Sequence, residues 1–550
     1  MASAATLETG PASAAHPPAE TRFLRDFAWL AILLAAVIPL VGRALLLPLL
    51  PVPKPAIQDE FAYLLGAETF TSGRLTNPTP AMADHFETLQ ELIRPTYASK
   101  YPPFSSLMMA FGLKLFGVPW IGVWLSMGLL CAALCWALQG WVSFEWALVG
   151  TGLAIVRIGI VSYWTETYWG GACAAIGGAL LVGAVPRLIR RPRIATALWM
   201  AAGLAILANT RPYEGVLLTV VCLGYLGWRL VRAGVRTSMI VRRIVVPAAV
   251  ILFPVIAGMG YYNYRVTGKA LEMPYMEHEK QYAVWSPLLW QRGPRPEPHY
   301  SNSALRDYWV NAFGAEAKFA HEHPVKAHVS DILTVSEFFL GWPVILCLIA
   351  AAVPLAKNRT FRLVVTIGAL FYAGGALDAR LFPHYAAPAT VLIYILAALA
   401  LEACWRALAG RPTERRIIAA GAVAIVLIAT AWSRATPKGR YYFSATDYHL
   451  KAKHATVEQR LASEPGEHLV LVQYGPHHDA WEELVYNHAD INRSRIIWAR
   501  SLSAEKDRQL MQYYAGRTIW LVEEDGEVKL KRYFPSTQST TPTQLGRVLR

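Results

Sequence analysis

The sequence predicts a polytopic α-helical membrane protein of about 11 transmembrane helices, followed by a soluble α/β domain at the C-terminus. Of the 550 residues, 54% are hydrophobic and 16% charged, too apolar for a soluble multidomain chain. Uncharged stretches long enough for helices of about 20 residues recur between residues 27 and 433 and then stop. The formal charge of +14 is concentrated in a few short loops between those stretches.

Residues 1–25 read as a disordered cytoplasmic tail, rich in Ala, Ser and Pro at its start. Arg22 and Arg25 precede an apolar run too long for a signal-peptide core, so the first span is expected to be an uncleaved anchor. Within a transmembrane domain of residues 26–433, spans are expected near 27–49, 118–141, 145–163, 169–186, 194–210, 214–231, 244–262, 332–355, 361–378, 383–405 and 416–433. Loops 187–193, 229–243, 357–362 and 406–416 hold sixteen basic residues against one acid, Glu414. Basic loops stay cytoplasmic, which sets the N-terminus inside. An odd number of crossings then puts the C-terminal domain, 434–550, outside with the two long loops 50–117 and 263–331. The basicity is thus a topology signal, and no nucleic-acid partner is expected. The six cysteines lie in or beside apolar spans and form neither a disulfide framework nor a thiolate metal site.

In the first long loop, residues 57–70 have helical spacing that puts Asp59 and Tyr63 on one face, where the phenol could hold the acid. After Pro102 and Pro103, residues 104–116 carry apolar side chains at helical intervals; with Lys114 among them, they fit a helix lying in the membrane plane. The second long loop is rich in Tyr, Trp, Pro and His and includes Pro274-Tyr275-Met276-Glu277-His278-Glu279, which fits a mobile lid. Beyond 434, strands are expected at 468–474, 496–499 and 518–522, with helices at about 479–487 and 504–514. Tyr474-Gly475-Pro476-His477 lacks the glycines of a nucleotide site. His477, His478 and Asp479 with Glu482 and Glu483 resemble a metal cluster, but Asp479 as an N-cap with Glu482 as its capping-box partner is the simpler reading.

Ionisable residues collect at the outer ends of the spans: Arg157 and Glu166, Arg211 and Glu214, Glu337, Asp378, Arg380 and His384. Charge near hydrocarbon is costly, and its one-sided placement points to a polar cavity opening outward. Tyr163, Trp164, Tyr168 and Trp169 around Glu166 read as an interfacial aromatic belt. A cavity with carboxylates and cations suits transfer of a group from a lipid phosphate, the acid accepting a proton and the cations meeting charge on the departing phosphate.

Asp59-Glu60 with Tyr63 after the first span, the later Lys100-Tyr101-Pro102-Pro103 and the Thr165-Glu166 turn resemble the GT-C superfamily of membrane glycosyltransferases. The branch they resemble is that of the protein O-mannosyltransferases and lipid A aminoarabinose transferases. The resemblance covers roughly residues 25–410, and includes Leu207-Ala208-Asn209-Thr210-Arg211-Pro212-Tyr213 and Arg380-Leu381-Phe382-Pro383-His384-Tyr385. It implies Asp59 as general base with Glu60 as the adjacent acid, and Glu166 where the family often has an Asp. It further implies substrate and phosphate contacts from Tyr63, Lys100, Arg211, Arg380, His384 and Tyr385; His384 stands where the family has Arg.

The function expected is transfer of a sugar from a polyprenyl-phosphate donor to a glycan, lipid or protein acceptor, with inversion. The setting expected is the outer face of a bacterial-type inner membrane. With lysine and arginine supplying positive charge, neither a cofactor nor a divalent metal is expected. A secondary transporter with an outward-facing solute site is the rival reading, weakened by the lack of an internal repeat.

Overall fold

A computed structural model of the protein describes residues 19–291, 293–409, 413–432 and 452–533. Residues 1–18 of the expected tail and 434–451 of the expected C-terminal domain lie outside the described residues, while from Ala19 the chain is already helical. The membrane part comprises α1 (Ala19–Leu45), α2 (Gln58–Thr71), α3 (Pro103–Phe116), α4 (Trp120–Leu138), α5 (Phe144–Ala154), α6 (Tyr163–Glu166), α7 (Ala172–Arg190), α8 (Ile194–Ala208), α9 (Pro212–Arg232) and α10 (Thr237–Ile240). It continues with α11 (Val246–Thr267), α12 (Pro274–Tyr282), α13 (Ser303–Arg306), α14 (Phe313–Glu322), α15 (Pro324–Phe339), α16 (Gly341–Leu355), α17 (Arg359–Gly375), α18 (Thr390–Leu408) and α19 (Thr413–Trp432).

Each of the eleven expected spans overlaps helix, though the one at 145–163 is α5 followed by a π-turn at 155–159 and bends at 160–162. Six described helices are long and apolar enough to cross a membrane by themselves, and the pair α15 and α16 would make a seventh. The protein is a multi-pass membrane protein. That pair corrects the expected continuous span 332–355: the two helices meet at 106°, with Gly341 in the left-handed region at φ 70°. Arg157 stabilises the break, because its buried guanidinium donates to the carbonyl oxygens of Phe338 (3.0 Å) and Thr430 (3.2 Å). The first bond satisfies a backbone acceptor at the bend, and the second ties it to the last turn of α19.

Of those six helices the most enclosed is α7, with 83% of its apolar stretch buried against 17% in α1. On α1, Trp29, Leu33, Ile38 and Val41 are exposed, a surface suited to lipid. Around α7 the helices approach closely through glycine. A Cβ on Gly178 would come within 1.9 Å of Pro388 O, and one on Gly122 within 1.9 Å of Met108 O, so α7 meets the start of α18 and α4 meets α3 backbone to backbone. Arg187 and Arg190 donate to carbonyls of Trp136 and Gly140, and Arg243 to Pro192 O. The basic turns 187–193 and 236–243 therefore share one end of the bundle with the α4–α5 turn.

At the other end, α2 and α3 frame a short hairpin, β1 (Glu91–Leu92) against β2 (Ala98–Ser99), paired Glu91 to Ser99. The C-terminal domain carries β3 (His468–Tyr474), β4 (Ile496–Arg500), β5 (Thr518–Asp525) and β6 (Glu527–Arg532) in the order β4-β3-β5-β6, parallel except for β6. The fourth strand and the helix Lys453–Ala462 were not foreseen. The helix expected at 479–487 is absent. Glu483 Oε1 accepts from the N–H of its neighbours Leu484 and Val485, whose apolar side chains are buried under the sheet, and Asp479 makes a local turn with Trp481 N. Glu482 pairs with Lys453 rather than closing a capping box. Likewise, the acids near His477 and His478 are committed to ion pairs: His478 and Lys453 to Glu524, and Arg500 to Glu483.

Candidate active site

The first acid of the pair after α1 sits at the start of α2, half-buried and accepting a hydrogen bond from the Tyr101 hydroxyl. Near a helix N-terminus a carboxylate is favoured by the unsatisfied N–H groups. The phenol that holds Asp59 is thus Tyr101, which sequence reading missed. Tyr63, the expected partner, stacks flat against Tyr101 with ring centroids 4.4 Å apart. A signal for Tyr101 existed in its place between Lys100 and the rigid Pro102-Pro103 pair.

Glu60 turns the other way and is buried. Its Oε2 accepts from the N–H of Ala56 (2.7 Å) and Ile57 (3.1 Å), and its Oε1 from Tyr168 N (3.0 Å). Burial pushes its carboxyl up to about 7, against these bonds, which favour the charged form. Glu166 is also withdrawn. Arg43 grips it with Nε to Oε1 at 2.6 Å and Nη2 to Oε2 at 2.9 Å, both side chains inside the protein. Both acids were expected to be catalytic; instead each has its oxygens occupied away from Asp59. They form a chain of support: Arg43 fixes Glu166 and its turn, the turn offers Tyr168 N–H to Glu60, and Glu60 fixes the start of α2.

Two cations come to this region from separate elements. Lys100 follows the β1–β2 hairpin, its N–H bonded to Gln90 O at 3.3 Å. Its ammonium lies 5.5 Å from the Tyr101 ring centroid and 3.8 Å from Glu279. Burial pulls the Lys100 amine below the usual lysine value, with Glu279 and Asp59 opposing. Arg211 comes from the α8–α9 turn, ahead of Pro212 at the first position of α9. Phe104 N donates to Asn209 O at 3.0 Å, which ties the start of α3 to that turn and so brings Arg211 to the Lys100 side. The Arg211 guanidinium covers the Tyr385 ring at 4.2 Å and has Glu214 at 3.9 Å. Asp59 lies close enough to Tyr63, Lys100, Tyr101 and Tyr385 for its charge to act on each, so these side chains form one polar neighbourhood.

Arg380 and His384 do not join as expected. Arg380 pairs with Glu316 of α14 and lies over Phe382. His384 is buried, with Nδ1 3.0 Å from the Tyr163 hydroxyl and Trp169 edge-on at 4.5 Å. The expected aromatic belt is interior as well: Trp164 is fully buried against Phe338 and Phe339. The second long loop has helices of its own and a core in which Tyr282, Leu305, Tyr308 and Trp309 pack on Leu89 of the first loop.

No family model matches the sequence, and no curated protein matches it. Among solved structures, ArnT from Cupriavidus metallidurans bound to undecaprenyl phosphate is similar over 90% of this chain and 93% of its own, with a TM-score of 0.51 at 15% identity. The apo state of the same protein gives a TM-score of 0.50 at 14% identity, over 92% of this chain and 94% of that one. The Archaeoglobus fulgidus oligosaccharyltransferase tethered to an acceptor peptide gives 0.48 at 11% identity, over 91% of this chain and 69% of that one.

The chain has the GT-C fold.

Within the GT-C fold, the pocket of Asp59, Lys100, Arg211 and Tyr385 lies where α2, the first-loop hairpin and the α8–α9 turn converge. Such a site can take a proton from a hydroxyl at the carboxylate and bind a phosphate at the cations.

Proposed function

We propose that the protein is a glycosyltransferase that moves a sugar from a polyprenyl-phosphate donor to a glycan, lipid or protein acceptor on the outer face of a bacterial-type inner membrane. The observation that carries the reading is a cluster of Asp59 with two cations, Lys100 and Arg211, each of which has a further acid, Glu279 or Glu214, close by. The undecaprenyl phosphate bound by ArnT, a protein of the same fold, supports a lipid-phosphate carrier. Eleven crossings, with the N-terminus inside and the C-terminal domain outside, belong to the same reading.

Asp59 accepts the proton of the acceptor hydroxyl as that oxygen attacks the anomeric carbon. The new C–O bond forms on the face opposite the bond to the phosphate oxygen, which breaks and takes its electron pair with it. Configuration at the carbon inverts. Lys100 and Arg211 meet the charge that grows on the phosphate, and Tyr101 and Tyr385 hold Asp59 and Arg211 in line. Phosphate leaves without a general acid. The two cations supply the positive charge, so the reading takes no divalent ion; activity lost to a chelator and restored by Mg²⁺ or Mn²⁺ would contradict that part.

The test is transfer of sugar from a lipid-linked donor by purified Asp59→Asn protein. A properly folded variant is expected to lose about 10²–10⁴-fold in rate, the range for a positioned general base. Full activity in that variant would sink the assignment.

A further inference from the structure

Around Lys100, the two outer loops bring together polar atoms that are buried yet have no partner. His278 on α12 is 0% exposed, and neither of its ring nitrogens has a partner. Glu279 Oε2, Gln90 Oε1 and Trp309 Nε1 are likewise enclosed and unbonded. These atoms form one neighbourhood. Lys100 Nζ lies 3.8 Å from Glu279 and 5.8 Å from the Trp309 ring centroid, the His278 and Trp309 rings are 5.4 Å apart, and Lys100 N is bonded to Gln90 O. Leaving a buried polar atom without a partner costs about 1–3 kcal/mol, and folded interiors hold few of them. Four residues with such atoms around Lys100 are accounted for by a ligand that supplies the missing partners.

We infer that His278, Glu279, Gln90 and Trp309 recognise the sugar carried by the lipid donor, and that this sugar is a neutral, hydroxyl-rich ring. The inference rests on the glycosyl-transfer reading above and names its substrate class. The free atoms are a mixture: Glu279 Oε2 and Gln90 Oε1 accept, the Trp309 indole N–H donates, and a neutral imidazole at His278 offers one of each. Hydroxyl groups, which both donate and accept, match that set. Burial and the charge on Lys100 hold His278 well below the usual histidine range, which keeps the ring neutral for this role. The location also fits: Lys100 links this cluster to the phosphate side, and the field of Asp59 reaches Tyr308, the neighbour of Trp309.

The experiment uses the full chain in nanodiscs, titrated with three kinds of probe. These are undecaprenyl phosphate, its glucosyl, galactosyl and mannosyl derivatives, and its cationic 4-amino-4-deoxyarabinosyl derivative. At least one hexosyl lipid is expected to bind about 10-fold more tightly than the bare lipid phosphate. His278→Phe and Gln90→Leu are each expected to remove that gain while leaving affinity for the bare lipid within about twofold. Equal loss of both lipids would assign these residues to structure alone and overturn the inference. So would an unchanged preference in the variants, or a wild-type preference for the cationic lipid or for none. Failure of the wild-type protein to bind bare undecaprenyl phosphate would instead overturn the lipid-donor reading beneath it.

Discussion

Asp59 and Glu60 are adjacent acids with opposite surroundings. The first is half-buried beside a phenol and near two cations; the second is wrapped in backbone N–H groups. A carboxyl that titrates near 4.5 when unfolded and about 7 when folded binds more protons in the native state between those values. The contribution of Glu60 to stability therefore falls as pH rises through that window and is level above it. Unfolding midpoints of wild type and Glu60→Gln, compared at pH 5 and pH 8, should show the larger pH slope in wild type; equal slopes would refute this. Lys100, lowered by burial from 10.5, should give activity an alkaline limb below the ordinary lysine range. Lys100→Arg should move that limb upward in a pH–rate profile, because a guanidinium stays charged. Glu166→Gln should destabilise by about 3–5 kcal/mol by stranding the buried Arg43, read as a lowered unfolding midpoint. Asp59, Lys100, Arg211 and Tyr385 were legible in the sequence because short motifs at the ends of spans carry them. The support behind them was not. Arg43 and Glu166 are 123 residues apart, and nothing local in either segment announces the pair.

The helices around the site were legible from apolar length, and the hinge between α15 and α16 was not. Residues 332–355 read as one apolar run, and the break at Gly341 depends on Arg157 from another helix. The missing helix at 479–487 failed for a similar reason, since Arg500 and the buried side chains around Glu483 override its local capping pattern. The α3–α4 crossing is the element on which Lys100 depends most, because α3 begins three residues after it and is held against α4 at Gly122. Gly122→Ala would drive a Cβ into Met108 O and should cost about 1–3 kcal/mol, with loss of transfer activity. Gly152→Ala is the control: it meets nothing within 4 Å and should leave both stability and activity unchanged. Thermal unfolding of the two variants checks the contrast.

At the scale of the whole molecule, the C-terminal domain is part of the site's foundation. Leu65, Phe86, Ile93 and Tyr97 of the first loop share one core with Leu469, Leu471, Ile497 and Leu510 of the domain. Tyr97 donates to Asn487 O at 2.8 Å, and His85 Nδ1 lies 2.7 Å from Arg500 O. The shared core makes the domain necessary: ending the chain after residue 432 should expose that apolar face and abolish transfer, and unchanged activity in the truncated protein would refute this. The central claim concerns what occupies the pocket beneath. Mass spectrometry of lipid released from gently extracted wild-type protein tests it most directly. A polyprenyl phosphate, bare or carrying a sugar, is the predicted result; absence of any lipid phosphate, together with solute uptake by proteoliposomes containing the protein, would contradict the account and favour a transporter.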